Sequence, residues 1–170
     1  MTVKNSSGES SSRAAHYRRE IIMEENLFRK ILLVVEGSSA DHTLTLSAIA
    51  RAVSNKARLI VLNVVDHMAI NRMKRLSDQS TTELEIELEE KGWRALYFAE
   101  ELAKDNGVPT MILQKSGIVE NEILNEAARL KVDLIVLGYP RKIPGQANRL
   151  TQGRTGKVVE NAACSVLIVK

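Results

Sequence analysis

Several things that proteins use for particular ends are scarce in this chain. A single cysteine, Cys164, among 170 residues excludes an intramolecular disulfide, offers no metal-ligand spacing and points to a reducing cytoplasm. Aromatic residues make up only 4%, too few for the platforms on which nucleic-acid bases stack. An excess of one sign of charge is nearly absent too. With 24 cations against 21 anions the net charge is +3, so the pI near 9.1 reflects a small imbalance rather than a surface built for a polyanion. No apolar run approaches the roughly 18 residues a membrane span requires, and Met1 to Asn26 lacks the unbroken apolar core of a secretory signal. His16, His42 and His67 lie far apart in no ligand spacing, so no metal is expected. Nucleic acid, membrane and metal are thereby set aside as partners, and the chain reads as a soluble cytoplasmic protein.

What remains is apolar enough to build a core: 44% of the residues are hydrophobic, mostly aliphatic. Met1 to Ser12 is serine-rich and nearly free of bulky apolar residues, the composition of a disordered tail. Arg13 to Phe28 is helix-permissive, with Tyr17 and Ile21 on one side. Residues 1–28 are thus expected to form an appendage of tail and short helix, and residues 29–170 the domain. From Ile31 onward, apolar runs alternate with helical periodicity. Strands are expected at Ile31–Val35, Leu59–Val65, Thr110–Lys115, Asp133–Leu137 and Ser165–Val169. Helices are expected at Asp41–Ser54, Thr81–Asn106, Ile118–Leu130 and Gly156–Ala163, with a variable loop over Asp66–Ser80 that has room for a short helix. Ser38 and Ser39 are placed to cap the first of these helices, and Trp93 and Tyr97 read as core or interface packing. Five strands alternating with helices make an α/β fold: a doubly wound, five-stranded parallel sheet with helices on both faces. Ligands on such sheets bind beyond the carboxyl ends of the strands, which makes the turns after Val35, Val65 and Leu137 candidate walls.

The last forty residues carry the chemistry. Val132-Asp-Leu-Ile-Val-Leu-Gly138 is a buried strand ending in glycine, and a basic loop then leads to Gly153-Arg-Thr-Gly-Lys157 at a helix start. A helix N-terminus in that place can hold an anion. The second run superficially suggests a P-loop, but Val158 stands where Ser or Thr must follow the lysine, and the loop follows a fourth strand rather than a first. Cys164 reads as a packing residue, with no histidine near it in sequence.

At Ile31-Leu-Leu-Val-Val-Glu-Gly-Ser-Ser39, Leu62-Asn-Val-Val65, Asp133-Leu-Ile-Val-Leu-Gly138 and Lys157-Val-Val-Glu-Asn-Ala-Ala-Cys-Ser-Val-Leu-Ile-Val169, the chain resembles the universal stress protein family. The resemblance runs from about Arg29 to Lys170. It implies the adenine nucleotide alpha hydrolase-like fold, a homodimer paired through the C-terminal strand, and a regulatory stress-response module rather than an enzyme. In members that bind ATP, a Gly-x2-Gly-x9-Gly-Ser/Thr loop lets backbone N–H groups reach the phosphates. Gly138 matches the first glycine. Arg141 stands at the second, and Gln152-Gly153 falls where Gly-Ser/Thr belongs. Thr155 matches a hydroxyl position that touches phosphate, Glu36 replaces the usual aspartate beside the nucleoside, and Val64 matches a position near the base.

The candidate cofactor site by this resemblance comprises Val34, Val35, Glu36, Val64, Leu137, Gly138, Arg141, Gly153, Arg154 and Thr155. Two readings stand side by side. In one, cations such as Arg141 and Arg154 replace the lost glycines as phosphate ligands for ATP and its magnesium. In the other, the loop is a solvated remnant on a nucleotide-free homodimeric adaptor that works through its sheet edge and N-terminal helix. An adenylyl-transfer enzyme is a third reading, weakened by the lack of any His-x-Gly-His element.

Overall fold

The computed structural model describes residues 27–38, 41–140 and 153–170. The expected appendage, apart from Leu27 and Phe28, therefore lies outside the described residues, as do Ser39, Arg141 and most of the basic loop. The elements in chain order are β1 (Lys30–Val35), α1 (Asp41–Asn55), β2 (Arg58–Asp66), α2 (His67–Lys74), α3 (Thr81–Asp105), β3 (Thr110–Gly117), α4 (Val119–Leu130), β4 (Leu134–Gly138), α5 (Arg154–Asn161) and β5 (Ser165–Val169).

All four strand pairings are parallel, in the order β3-β2-β1-β4-β5. The central strand β1 is apolar without interruption because helices cover both of its faces. Its side chains alternate between two cores. Ile31, Leu33 and Val35 point into one, with Leu44, Ala48 and Ala52 of α1 and Leu96, Ala99 and Ala103 of α3. Leu32 and Val34 point into the other, with Val119 and Ile123 of α4 and Val158 of α5. Residues 31–33 of β1 are fully buried, each worth about 1.5–3 kcal/mol of transfer free energy. The register sets Leu33 between Val61 of β2 and Val136 of β4.

The short helix for which the stretch after β2 had room is present: Asp66 accepts the Met68 N–H through Oδ1 at 2.8 Å and starts the two-turn helix α2. Ile70 from that helix joins Val65 and Leu84 in a small third cluster. Of the two readings of Trp93 and Tyr97, core or interface packing, the core one is corrected. The two rings stack on one another with centroids 5.6 Å apart but stand on the exposed side of α3, 38% and 57% accessible. The Ser38 hydroxyl does not cap α1 but donates to Asp41. Among the described residues, no helix is long and apolar enough to cross a membrane.

Candidate functional site

Strand order reverses between β1 and β4, since the chain runs outward through β2 and β3 and then returns to the other side of β1. At the carboxyl ends of these two strands a cleft of about 540 Å³ opens, the place and size of a small-molecule site on such a sheet. Val34 and Glu36 wall it from β1, Leu137 and Gly138 from β4. The starts of three helices converge there: Asp41 and Leu44 of α1, Val119 and Ile123 of α4, and Arg154 and Thr155 of α5 after Gly153. Lys91 reaches in from α3.

The floor beside β1 is organised by a carboxylate. Asp41 Oδ2 accepts the backbone N–H groups of Glu36, Gly37 and Ser38 at 3.1, 2.6 and 3.0 Å, and its Oδ1 accepts the Ser38 hydroxyl at 3.1 Å. The turn needs φ +74° at Gly37, where a side chain would also strike the Lys91 stem. Behind it, Asn63 Nδ2 donates to the Val35 carbonyl at 2.9 Å. Gln114 Nε2 in turn donates to Asn63 Oδ1 at 3.2 Å and to the Glu89 carbonyl at 2.8 Å. These amides lie against Gly92 of α3, where a Cβ would overlap both side chains. The end of β1 is thus fixed to β2, β3 and α3.

The opposite wall is cationic. Gly153 precedes α5 in an extended conformation and supplies no side-chain cap, and the first turn of this helix, whose leading N–H groups have no partners within the helix itself, lines the cleft at Arg154 and Thr155. Arg154, the first residue of α5, donates through Nη2 to Asp66 Oδ2 at 3.0 Å and stands 3.8 Å from Glu36 Oε1. Lys157, one turn on, donates to Glu120 at 2.7 Å and holds α5 to α4. Burial acts to raise the Glu120 carboxyl, yet the Lys157 bond, its own backbone N–H and nearby cations outweigh that and keep it below the ordinary range. Gly138 leaves room: a Cβ there would meet nothing nearer than Leu44 Cδ2 at 3.7 Å.

Of the residues singled out in the sequence, Val34, Glu36, Leu137, Gly138, Gly153, Arg154 and Thr155 line this one cleft. Val35 and Val64 do not. Successive residues of a strand face opposite sides, so Val35 turns into the α1/α3 core. Val64 lies one strand away from the reversal, half-buried against the other core. Arg141 lies outside the described residues. Asp41, Lys91 and, just beyond the lining, Asp66 were not anticipated. Asp41 had a usable signal, an acidic residue at the helix start behind a Gly-Ser turn, whereas Asp66 and Lys91 come from segments distant in sequence.

A doubly wound α/β protein with a cleft of mixed apolar and charged lining at its switch point is what fold and site define. The family model for the universal stress protein family matches residues 27–170, and the chain belongs to that family. It is 33% identical over 147 residues to the universal stress protein MJ0531 of Methanocaldococcus jannaschii, covering 86% of this chain and 84% of that one. It is 28% identical over 149 residues to YxiE of Bacillus subtilis, covering 85% of this chain and 100% of the relative. Among solved structures, the Archaeoglobus fulgidus universal stress protein in complex with dAMP shares the fold at TM-score 0.59 and 16% identity, over 85% of this chain and 99% of that one.

Proposed function

We propose that the cleft between β1 and β4 binds an adenine nucleotide, ATP with magnesium being the form the family resemblance implies. On this reading the protein is a cytoplasmic homodimer paired through β5, acting on a partner according to whether the cleft is filled. The observation that carries the reading is the convergence, at the switch point, of a cleft of about 540 Å³ with the start of α5, which has no side-chain cap among the described residues, and its Gly153-Arg154-Thr155 run. Anions are favoured at such a helix start by oriented N–H groups and the helix dipole. The dAMP complex of the Archaeoglobus relative supports adenine recognition, as does a universal stress protein solved with cAMP at TM-score 0.62 and 17% identity.

The ionisable groups around the cleft favour binding over catalysis. Asp41 is saturated by four donors, Arg154 is paired to carboxylates and Glu120 is held by Lys157. A general base needs a free lone pair positioned within reach of a substrate proton. Glu36, 69% exposed and only loosely held by Arg154 at 3.8 Å, has the lone pair but is not fixed in place, so turnover of bound nucleotide is expected to be slow.

The test is calorimetry with ATP, ADP and AMP, with and without magnesium, on protein stripped of co-purified nucleotide by unfolding and refolding. Micromolar binding is expected, together with a rise in thermal stability. Ligand at a hundred times its Kd contributes about 2.7 kcal/mol. Absence of both heat and thermal shift at millimolar ligand would sink the reading and return the protein to a nucleotide-free adaptor.

A further inference from the structure

Arg154 belongs to two places at once. It lines the cleft, yet its guanidinium is bonded to Asp66 at the end of β2, outside the lining, and held more loosely by Glu36, which lines the cleft after β1. Asp66 is not idle either: its Oδ1 caps α2, and Arg72 of α2 approaches its Oδ2 at 3.6 Å. Its side chain is only 12% exposed, while that of Arg154 is 39% exposed and that of Glu36 69%. The tight contact is therefore the sheltered one, and the loose contact is solvated and weakly held.

We propose that Arg154 is an anion-responsive latch: a phosphate-bearing ligand entering the cleft must draw this guanidinium away from Asp66. The inference rests on the nucleotide reading above and adds how the phosphate is sensed. A guanidinium already bonded to a carboxylate gives a second anion only the difference between the two interactions. The Asp66 contact thus subtracts from phosphate affinity and leaves the nucleoside contacts alone. By linkage, a phosphate that takes Arg154 weakens its hold on Asp66 by the same free energy. Asp66 is the residue that starts α2, so occupancy of the cleft is transmitted to that helix and its exposed Met68.

The experiment compares adenosine and AMP binding by calorimetry to the full chain and to Asp66→Asn, Glu36→Gln and Arg154→Ala. Asparagine retains the capping oxygen for Met68 and removes only the charge, and melting curves check that each variant is folded. Asp66→Asn is expected to bind AMP about tenfold more tightly with adenosine affinity unchanged, since a charge-assisted bond no longer competes. Glu36→Gln should give a smaller gain, and Arg154→Ala should lower the preference for AMP over adenosine about tenfold, to what the backbone N–H groups at the start of α5 supply alone. Backbone exchange at Met68 to Lys74 should change when AMP binds the unmodified protein, because Asp66 Oδ2 is then left to Arg72 of α2, and not when adenosine binds. An AMP-to-adenosine ratio that stays constant or falls in Asp66→Asn overturns the latch while the nucleotide reading stands. Failure of the unmodified protein to bind either ligand overturns both.

Discussion

At the scale of single residues, the sheet is held to its helices by a few polar groups buried where most of their neighbours are aliphatic. Gly92 is one consequence. The helix α3 can approach the Asn63–Gln114 amide pair only because residue 92 lacks a Cβ, so Gly92→Ala must either displace the helix or break that pair. An overpacked or orphaned polar contact of this kind costs about 1–3 kcal/mol, to be read as a lower guanidinium midpoint at unchanged slope. Since Asn63 holds the end of β1, the variant should also bind nucleotide less well, whereas Gly107→Ala, at φ +68° with nothing nearby, should lower stability and leave binding alone.

Glu126 is the buried anion of α4, 4% exposed, bonded to Arg129 at 2.5 Å and paired with Lys115 at 3.2 Å. The Arg129 bond lowers its carboxyl pKa, and the Lys115 bond adds to this against the opposing effect of burial. With its folded pKa below its unfolded one, Glu126 contributes stability that is fully present above the ordinary carboxylate value of 4.5 and is lost as pH falls through the lowered folded value. Glu126→Gln should therefore destabilise the protein at neutral pH, by about 1–3 kcal/mol, and the gap from the parent should narrow on acidification. A constant gap between pH 7 and 3 would contradict this assignment.

At the scale of elements, legibility followed burial. The five strands were readable because helices on both faces leave each an apolar run, and β5 fell at the expected bounds. The long helix α3 was readable through its length, its apolar periodicity and its Gly107 stop. Helix α2 was harder to read because two turns of mixed polarity depend on a cap, Asp66, that belongs to the preceding strand. The site divided in the same way. Gly138, Gly153 and Thr155 sit in a local pattern, but the Arg154–Asp66 bond joins residues 88 apart, a pairing no spacing rule announces. The start of α3 offers a test of what local signals contribute. Ser80 Oγ accepts the Glu83 N–H at 3.2 Å and Glu83 Oε2 accepts the Ser80 N–H at 2.8 Å, a reciprocal cap directly before the fully buried Leu84. Ser80→Ala is expected to cost about 1 kcal/mol and to speed hydrogen exchange in the first turn of α3 far more than in its last. Equal exchange along the helix would show that packing of Leu84 alone holds this end.

At the scale of the whole molecule, the two edges of the sheet are not alike. The edge strand β3 is backed by α3 and α4, and its neighbour β2 extends alongside it for its full length. The other edge, β5, is short, and its residues 166–169 remain half-exposed. Along it, Val166 joins the α4/α5 core and Leu167 and Val169 join the α1/α3 core, while Ile168 belongs to neither cluster. An apolar edge with free backbone donors and acceptors favours pairing with a second copy, which is the assembly proposed above. Ile168→Lys places a charge on that edge without removing any core side chain. It is expected to convert a dimer to a folded monomer in light scattering coupled to size exclusion, with nucleotide binding retained because the cleft lies at β1 and β4. A dimer unaffected by Ile168→Lys would place the subunit contact on another face. The exposed Trp93–Tyr97 stack of α3 would then be the next surface to alter, since it is the largest aromatic area among the described residues that the core leaves uncovered.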